Sequence, residues 1–390
     1  MLADRMLMCM NKRKIDRSEP VTVVNSAYTT SASARPQRLS NGWLVTAVYK
    51  TSYVVFYKST DNGVNWSQLC WCADMTNSNF SVTSYGNIIY AIGTYSTTQI
   101  IRLKFDATAV TNTNQAGSLL DGSRTAVGGV SIAVNPSNGH LTAAWSCKDT
   151  TYPNSFNIRS AKSVDGGLTW TKQDGTAGVD QITTENSSGR DAKNPCIVVN
   201  NLGRPVILRT LEVPASIYLV YCEYYNGSTW LRSEVYNPYS NYAQSNPDAV
   251  VSPDGTIHVV WHGKSASYPG NNNIRYSKSI DNGVTWSAPL RLTSSISEGD
   301  QEYATINCNK NNEIYILWDG LNTRVSSTYR QILKIVYSGS WGSIITLTNN
   351  ITNHSRYPST CSNYTDFTDP LCIYQDNQAG AVKFRGVWNE

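Results

Sequence analysis

Glu302 and Asp319 stand in two neighbouring strand-like stretches, QEYATINC and EIYILWDG, of one repeated unit, and both open onto the same end of it. Two carboxyl groups so placed suit the splitting of a glycosidic bond, one serving as acid and the other as base or nucleophile. Glu212 is a third carboxylate expected at that end of the molecule, and Asp149 a further polar ligand residue. Arg35 and Arg356 each carry the planar fork that grips a carboxylate through two parallel hydrogen bonds, and Tyr357 directly follows Arg356. His262, after Trp261, is read either as a general base or as a packing histidine. The plainer reading of the carboxylates is a set of solvated loop charges. Trp145, Trp261 and Trp318 end equivalent strands and are read as fillers between units, with sugar stacking as the alternative.

These residues need a scaffold that repeats. Three octapeptides are near-copies of one another: Ser59 to Trp66 (STDNGVNW), Ser163 to Trp170 (SVDGGLTW) and Ser279 to Trp286 (SIDNGVTW). Asp-Asn-Gly or Asp-Gly-Gly between strand-like runs marks a tight hairpin corner, because glycine accepts positive φ and the carboxylate takes up backbone N–H groups inside the turn. The closing Trp is expected to pack beneath the corner against the next unit.

Around these corners a unit recurs: an opening strand, a Gly-bearing turn, a hydrophobic strand, a polar loop, a third strand, the corner and a fourth strand. Starting points lie near Ser33, Asn79, Gly129, Lys193, Ser245, Gln301 and Arg356. The corner aspartates Asp61, Asp165 and Asp281 are 104 and 116 positions apart, each about two repeats of a four-stranded blade of about 40 to 50 residues. The fold expected is therefore all-β, a β-propeller of four-stranded blades, seven in number with six as the alternative. The last unit stops after its third strand, so Val21 to Asn25 (VTVVN) is expected to supply the missing fourth strand and close the ring. That divides the chain into a flexible tail, 1–19, and a single propeller, 20–390. The corners join strands three and four on one face; the loops between strands two and three, and those leading into strand one, share the other face with the candidate residues.

Charged residues make up only 15% of the chain, against about a quarter in an average soluble protein, while 24 Tyr and 11 Trp supply rings and hydroxyls suited to sugars. The net charge of +4 includes no basic run beyond Lys12-Arg13-Lys14, which argues against nucleic acid as a partner. Nine scattered cysteines give neither a disulfide framework nor a zinc spacing, so folding in a reducing cytoplasm is expected, with no metal and no cofactor. The first ten residues do not read as a signal peptide, and no stretch is long enough for a membrane span. Residues 1–19 are read as a mobile tail, or as an attachment peptide for a larger assembly.

The three octapeptides resemble the Asp box, Ser-x-Asp-x-Gly-x-Thr-Trp, of the sialidase-like (BNR-repeat) β-propeller superfamily. The resemblance implies that the corners are structural and that the opposite face holds a sugar site. It also implies an arginine triad, a tyrosine nucleophile helped by a glutamate, and an aspartate acid. Arg35-Pro36 stands where that family's Arg-Ile-Pro motif falls, and Arg356-Tyr357-Pro358 takes the equivalent place in the last unit. A third arginine has no matching position, and the loop expected to carry the acid reads Lys50-Thr51-Ser52. The function expected is thus carbohydrate recognition without turnover, with a glycan or polysaccharide as partner, as in a phage-tail or cell-surface receptor-binding protein on a virion or cell. The alternative is an exo-acting glycoside hydrolase or a propeller-type polysaccharide lyase.

Overall fold

Alternating apolar residues and Gly-bearing turns produce strands along the whole chain, and these assemble into seven sheets, one per repeat. The computed structural model describes residues 13–25, 35–122, 124–214, 217–238, 242–293, 299–376 and 381–389. The sheets form a ring, a seven-bladed β-propeller, with the first strand of each blade innermost. Blades I to VII begin with the inner strands Gln37–Arg38, Phe80–Tyr85, Ala126–Val134, Asp191–Val199, Gln244–Val251, Gln301–Cys308 and Ser355–Thr360.

The ring closes in blade VII, where Lys14–Val24 pairs antiparallel with Ala381–Asn389 as the fourth strand. This is the strand expected from VTVVN, but it starts at Lys14, because Ile15 is buried opposite Trp388 and Lys14 pairs with Asn389. Residues 14–19, expected in the tail, therefore belong to the sheet; residues 1–12 lie outside the described residues. A second seam bond joins the first and last blades: Arg38 N donates to Asn363 Oδ1 (3.1 Å), and Asn363 Nδ2 donates to the Arg38 carbonyl (2.9 Å). Blade II departs from the simple repeat. After its third strand, Gln99–Asp106, the chain lends Thr113–Asn114 to the outer edge of blade I before returning as Ser118–Asp121. No octapeptide stands at that connection, which leaves it free to wander.

At each of the three corners two successive residues adopt positive φ: Asn62 and Gly63, Gly166 and Gly167, Asn282 and Gly283. The serine hydroxyl donates to the aspartate (2.7–2.8 Å) and accepts the second of these N–H groups (2.8–2.9 Å), while the aspartate accepts from the residue before the Trp (2.9 Å). The side-chain and backbone groups of Thr169 accordingly hold Asp165 well below the usual carboxylate range. The corners pack on the preceding blade and not on the next one. Trp66 meets Phe384 of blade VII (5.1 Å between centroids), and Trp286 Nε1 donates to Ser233 Oγ of blade IV (3.0 Å). The remaining corner does the same, since a Cβ added at Gly166 would lie 3.4 Å from Lys104 Nζ and from Tyr90 Oη of blade II.

Gly63 combines positive φ (79°) with a neighbour in the way: an added Cβ would lie 2.5 Å from the Phe384 ring. Gly86 also has positive φ (62°) but nothing within 4 Å. Gly86→Ala is therefore expected to cost about 1 kcal/mol, the backbone penalty alone. Gly63→Ala is expected to cost about 1–3 kcal/mol more through overpacking of the blade I/VII seam. Urea denaturation of the two variants checks this order, and equal losses would contradict it.

Candidate functional site

On the face opposite the corners, the inner strands of blades IV to VII each open with a bulge. Their register slips at Lys193/Cys196, Ser245/Asp248, Glu302/Thr305 and Arg356/Ser359, and inside each slip one residue is left-handed: Asn194, Asn246, Tyr303 and Tyr357, all with φ of 51–53°. Asparagine tolerates that conformation, whereas for a bulky aromatic it costs about 1–2 kcal/mol and marks a place where the surroundings impose it. Tyr303 and Tyr357 come from adjacent blades and meet edge to face, with centroids 4.7 Å apart. The Arg356 guanidinium lies 4.7 Å from the Tyr357 ring centre and 5.9 Å from that of Tyr303. Its Nε is buried without a hydrogen-bond partner, and among the described residues Arg356 forms no ion pair.

Behind these rings a repeated clamp fixes the neighbouring polar groups. In Trp261-His262-Gly263 and Trp318-Asp319-Gly320 the indole N–H donates to a glutamine that opens the inner strand, Gln244 (2.9 Å) or Gln301 (2.7 Å). A Cβ at either glycine would land on that glutamine amide. The indoles are fully buried, as is Trp145, which donates to Asp121 (2.9 Å). They fill the space between blades, and the sugar-stacking alternative for these three is overturned by their lack of exposed surface.

Each clamp aims its middle residue into the same sector. Asp319 is register partner to Glu302, and Arg330, from the third strand of blade VI, bonds both: Nε to Asp319, and Nη2 to Glu302 at 3.2 Å. Asp319 also accepts from Tyr357 N (2.9 Å) and has no exposed side-chain surface. Its burial pushes its carboxyl above the usual range despite Arg330. Glu302 accepts from Asn272 Nδ2 (2.6 Å). His262 Nδ1 accepts the Tyr303 backbone N–H (3.3 Å), so the neutral ring carries its proton on Nε2. Burial, and then repulsion from Arg330, lower its pKa to about 4. Burial likewise raises the Tyr303 phenol above its ordinary value.

The structure thus brings Glu302, Asp319, His262, Arg356 and Tyr357 into one sector of blades V to VII. Glu212 sits in blade IV, bonded by Lys193 (2.9 Å) and Tyr218 (3.1 Å). Asp149, in blade III, is bonded by Arg159 and by the N–H groups of Thr151 and Tyr152 (2.8 Å each). Arg35 lies on the ring axis, where its guanidinium crosses to Asp248 of blade V. Asp248 in turn accepts from Thr305 Oγ1 (2.9 Å) and Ile306 N (3.0 Å), and Thr305 Oγ1 lies 3.0 Å from Thr360 Oγ1. Sequence reasoning did not reach Arg330 or Tyr303. Tyr303 was within reach, since Glu302-Tyr303-Ala304 repeats the frame of Arg356-Tyr357-Pro358. Arg330 gave no signal, being one polar residue in a third strand.

No protein-family model and no curated protein matches the chain. Solved structures do match in fold. An ulvan lyase of polysaccharide lyase family PL25, bound to a GlcA-Rha3S glycan, superposes with a TM-score of 0.66 at 9% identity over 97% of this chain and 96% of its own. A Penicillium chrysogenum α-L-arabinanase complexed with arabinobiose gives a TM-score of 0.52 at 13% identity, covering 97% and 98%. A protein of unknown function from Dyadobacter fermentans gives 0.55 at 12% identity, covering 97% and 99%. At these identities the likeness is one of fold.

Two outcomes follow from this geometry. Arg35→Met is expected to lose about 3–5 kcal/mol in urea denaturation by stranding the buried Asp248, and the double variant Arg35→Met/Asp248→Leu to recover most of it. A single variant as stable as the parent would remove Arg35 from the axle role. His262 has a folded pKa below its unfolded value, so the unfolded chain binds the extra proton between them. The His262 contribution is complete above about pH 6.5 and is lost as pH falls toward 4. Stability measured across that window should fall on acidification, with a shallower slope in His262→Asn.

Proposed function

We propose that this protein is a carbohydrate-recognition propeller that binds an acidic glycan on its loop face, with Tyr303 and Tyr357 as the stacking platform and Arg356 as the grip for a carboxylate or sulfate. One observation carries the reading: two tyrosines are held in a costly backbone conformation beside a guanidinium that forms no ion pair among the described residues. Aromatic faces stack on the apolar side of a pyranose ring, and a partly buried cation favours an anionic sugar. The corner peptides, read as Asp boxes of the sialidase-like superfamily, fit the same picture.

The arrangement supports binding more than turnover. Glu302 and Asp319 share Arg330 instead of facing each other across an open gap, Glu212 is engaged by Lys193, and the free lone pair of His262 is used by Tyr303 N. A role in receptor binding on a phage tail or cell surface suits this reading. The first described strand begins on the corner face, where Arg17 Nε donates to the Asn62 carbonyl (3.2 Å). An attachment through the residues ahead of it leaves the loop face outward.

The test is a glycan array run beside a screen for released product on the same sample. Uronate-bearing or sulfated polysaccharides are expected to be retained and neutral ones not, with Arg356→Ala weakening binding about ten- to a hundredfold, the worth of a charge-assisted contact. Release of reducing ends or of unsaturated uronate, abolished in Glu302→Ala, would put the chain among hydrolases or lyases instead.

A further inference from the structure

A cavity of about 1200 Å³ lies on the other face of the ring. The turns between first and second strands wall it in, on the side where the corners stand, and Arg35 lies at its inner end, held by Asp248. Among the described residues no Asp or Glu lines it, and its charged side chains are Arg35 and Arg38. Arg35 is balanced by Asp248, whereas Arg38 forms no ion pair among the described residues and its Nη1 is buried without a hydrogen-bond partner. Asn363 fixes the Arg38 backbone through the seam bonds, and Tyr364, also in the wall, lies 5.1 Å from the guanidinium. The rest of the lining mixes apolar residues of the inner strands with serine and asparagine, of which Ser137, Asn138 and Asn201 stand exposed on the turns.

We infer that this cavity is a second binding site, distinct from the tyrosine sector, for a hydroxyl-rich organic anion of sugar-acid size whose carboxylate bonds Arg38. Arg38 lines the cavity and forms no ion pair among the described residues; its buried Nη1 is out of a ligand's reach, so a carboxylate would bond Arg38 through the part of the guanidinium that faces the cavity. Hydroxyls and amides on the turns around an open volume suit a polyol body, and the volume admits a ligand of one or two sugar rings with room for water. The inner end is closed by the Arg35–Asp248 pair, so the ligand enters and leaves from the corner face. The inference does not rest on the loop-face reading, because it uses different residues on the opposite side.

Titration of the full chain with glucuronate, glucose and inorganic sulfate, followed by calorimetry and ligand-observed NMR, tests it. Saturable glucuronate binding is expected, with glucose weaker by about tenfold or more for want of the charged contact. Arg38→Gln and Ser137→Trp, which narrows the rim at an exposed position, should each remove the glucuronate site in this cavity and leave any loop-face binding, whereas Arg356→Ala should remove loop-face binding and leave this site. Ser137→Trp keeps the test valid if Arg38→Gln fails to fold. Three results would overturn the proposal: no glucuronate binding, binding lost in Arg356→Ala but not in Ser137→Trp, or sulfate binding as tightly as glucuronate, which would leave the hydroxyls without a role.

Discussion

Closure of the ring is the constraint on which the other features depend. Seven twisted sheets can share one axis only if the last is fastened to the first, and here that takes a strand from the start of the chain, Lys14–Val24, laid against Ala381–Asn389. The join is reinforced where the blades meet. Asn363 bridges to the backbone of Arg38, and Gly63 lets the Phe384 ring approach the first corner. Once the ring is closed, the inner strands converge on an axis too narrow for seven large side chains and too polar for an empty tube. Arg35, Asp248, Thr305 and Thr360 close it part-way along with mutually bonded groups. The same ion pair separates the two mouths, so each face of the wheel has its own chemistry.

Convergence also explains the bulges. An inner strand that ran straight to the loop face would crowd its neighbours, and one extra residue per strand turns the chain aside. Asn194 and Asn246 make that turn cheaply, and Gly128-Gly129 stand at the matching register slip in blade III. Tyrosine at the equivalent points of blades VI and VII is the expensive choice, and its compensation is visible: Asp319 receives Tyr357 N, and His262 receives Tyr303 N. Both receivers are the middle residues of the Trp-x-Gly clamps, so the strained backbone is held by groups that are themselves rigidly held.

The fold was legible in the sequence because its corners are local. Ser-x-Asp-x-Gly fixes two positive-φ residues within one octapeptide, and the distance between copies counts blades without any long-range information. What local pattern could not supply was partnership. Arg35 has the residue type of a ligand grip, and only the ring shows that its fork is spent on Asp248, 213 positions away in the sequence. Glu302 and Asp319 were readable as neighbours because they flank one hairpin, yet the Arg330 that ties them comes from the next strand and carries no motif. The start of the closing strand was misplaced for a related reason. Lys14 to Glu19 has a strand's pattern only when Trp388 is there to bury Ile15.

These partnerships bear on what such a site can do. A general acid or base needs a proton position it can exchange with substrate, and a group whose lone pairs are already filled by fixed donors has given that up in return for rigidity. Asp319, with no exposed surface and donors on both oxygens, holds the floor beneath Tyr357. On the proposed reading, the functional capacity of this sector lies in two aromatic faces and in Arg356, which forms no ion pair among the described residues. Those are the elements of recognition: ring faces for the apolar side of a sugar, and a cation for its charge. Pre-forming them costs backbone strain before any ligand arrives, and strain already met in the free protein does not have to be met on binding. On the proposed reading, the physical sense of placing tyrosines at positive φ is pre-organisation of the mouth of the propeller.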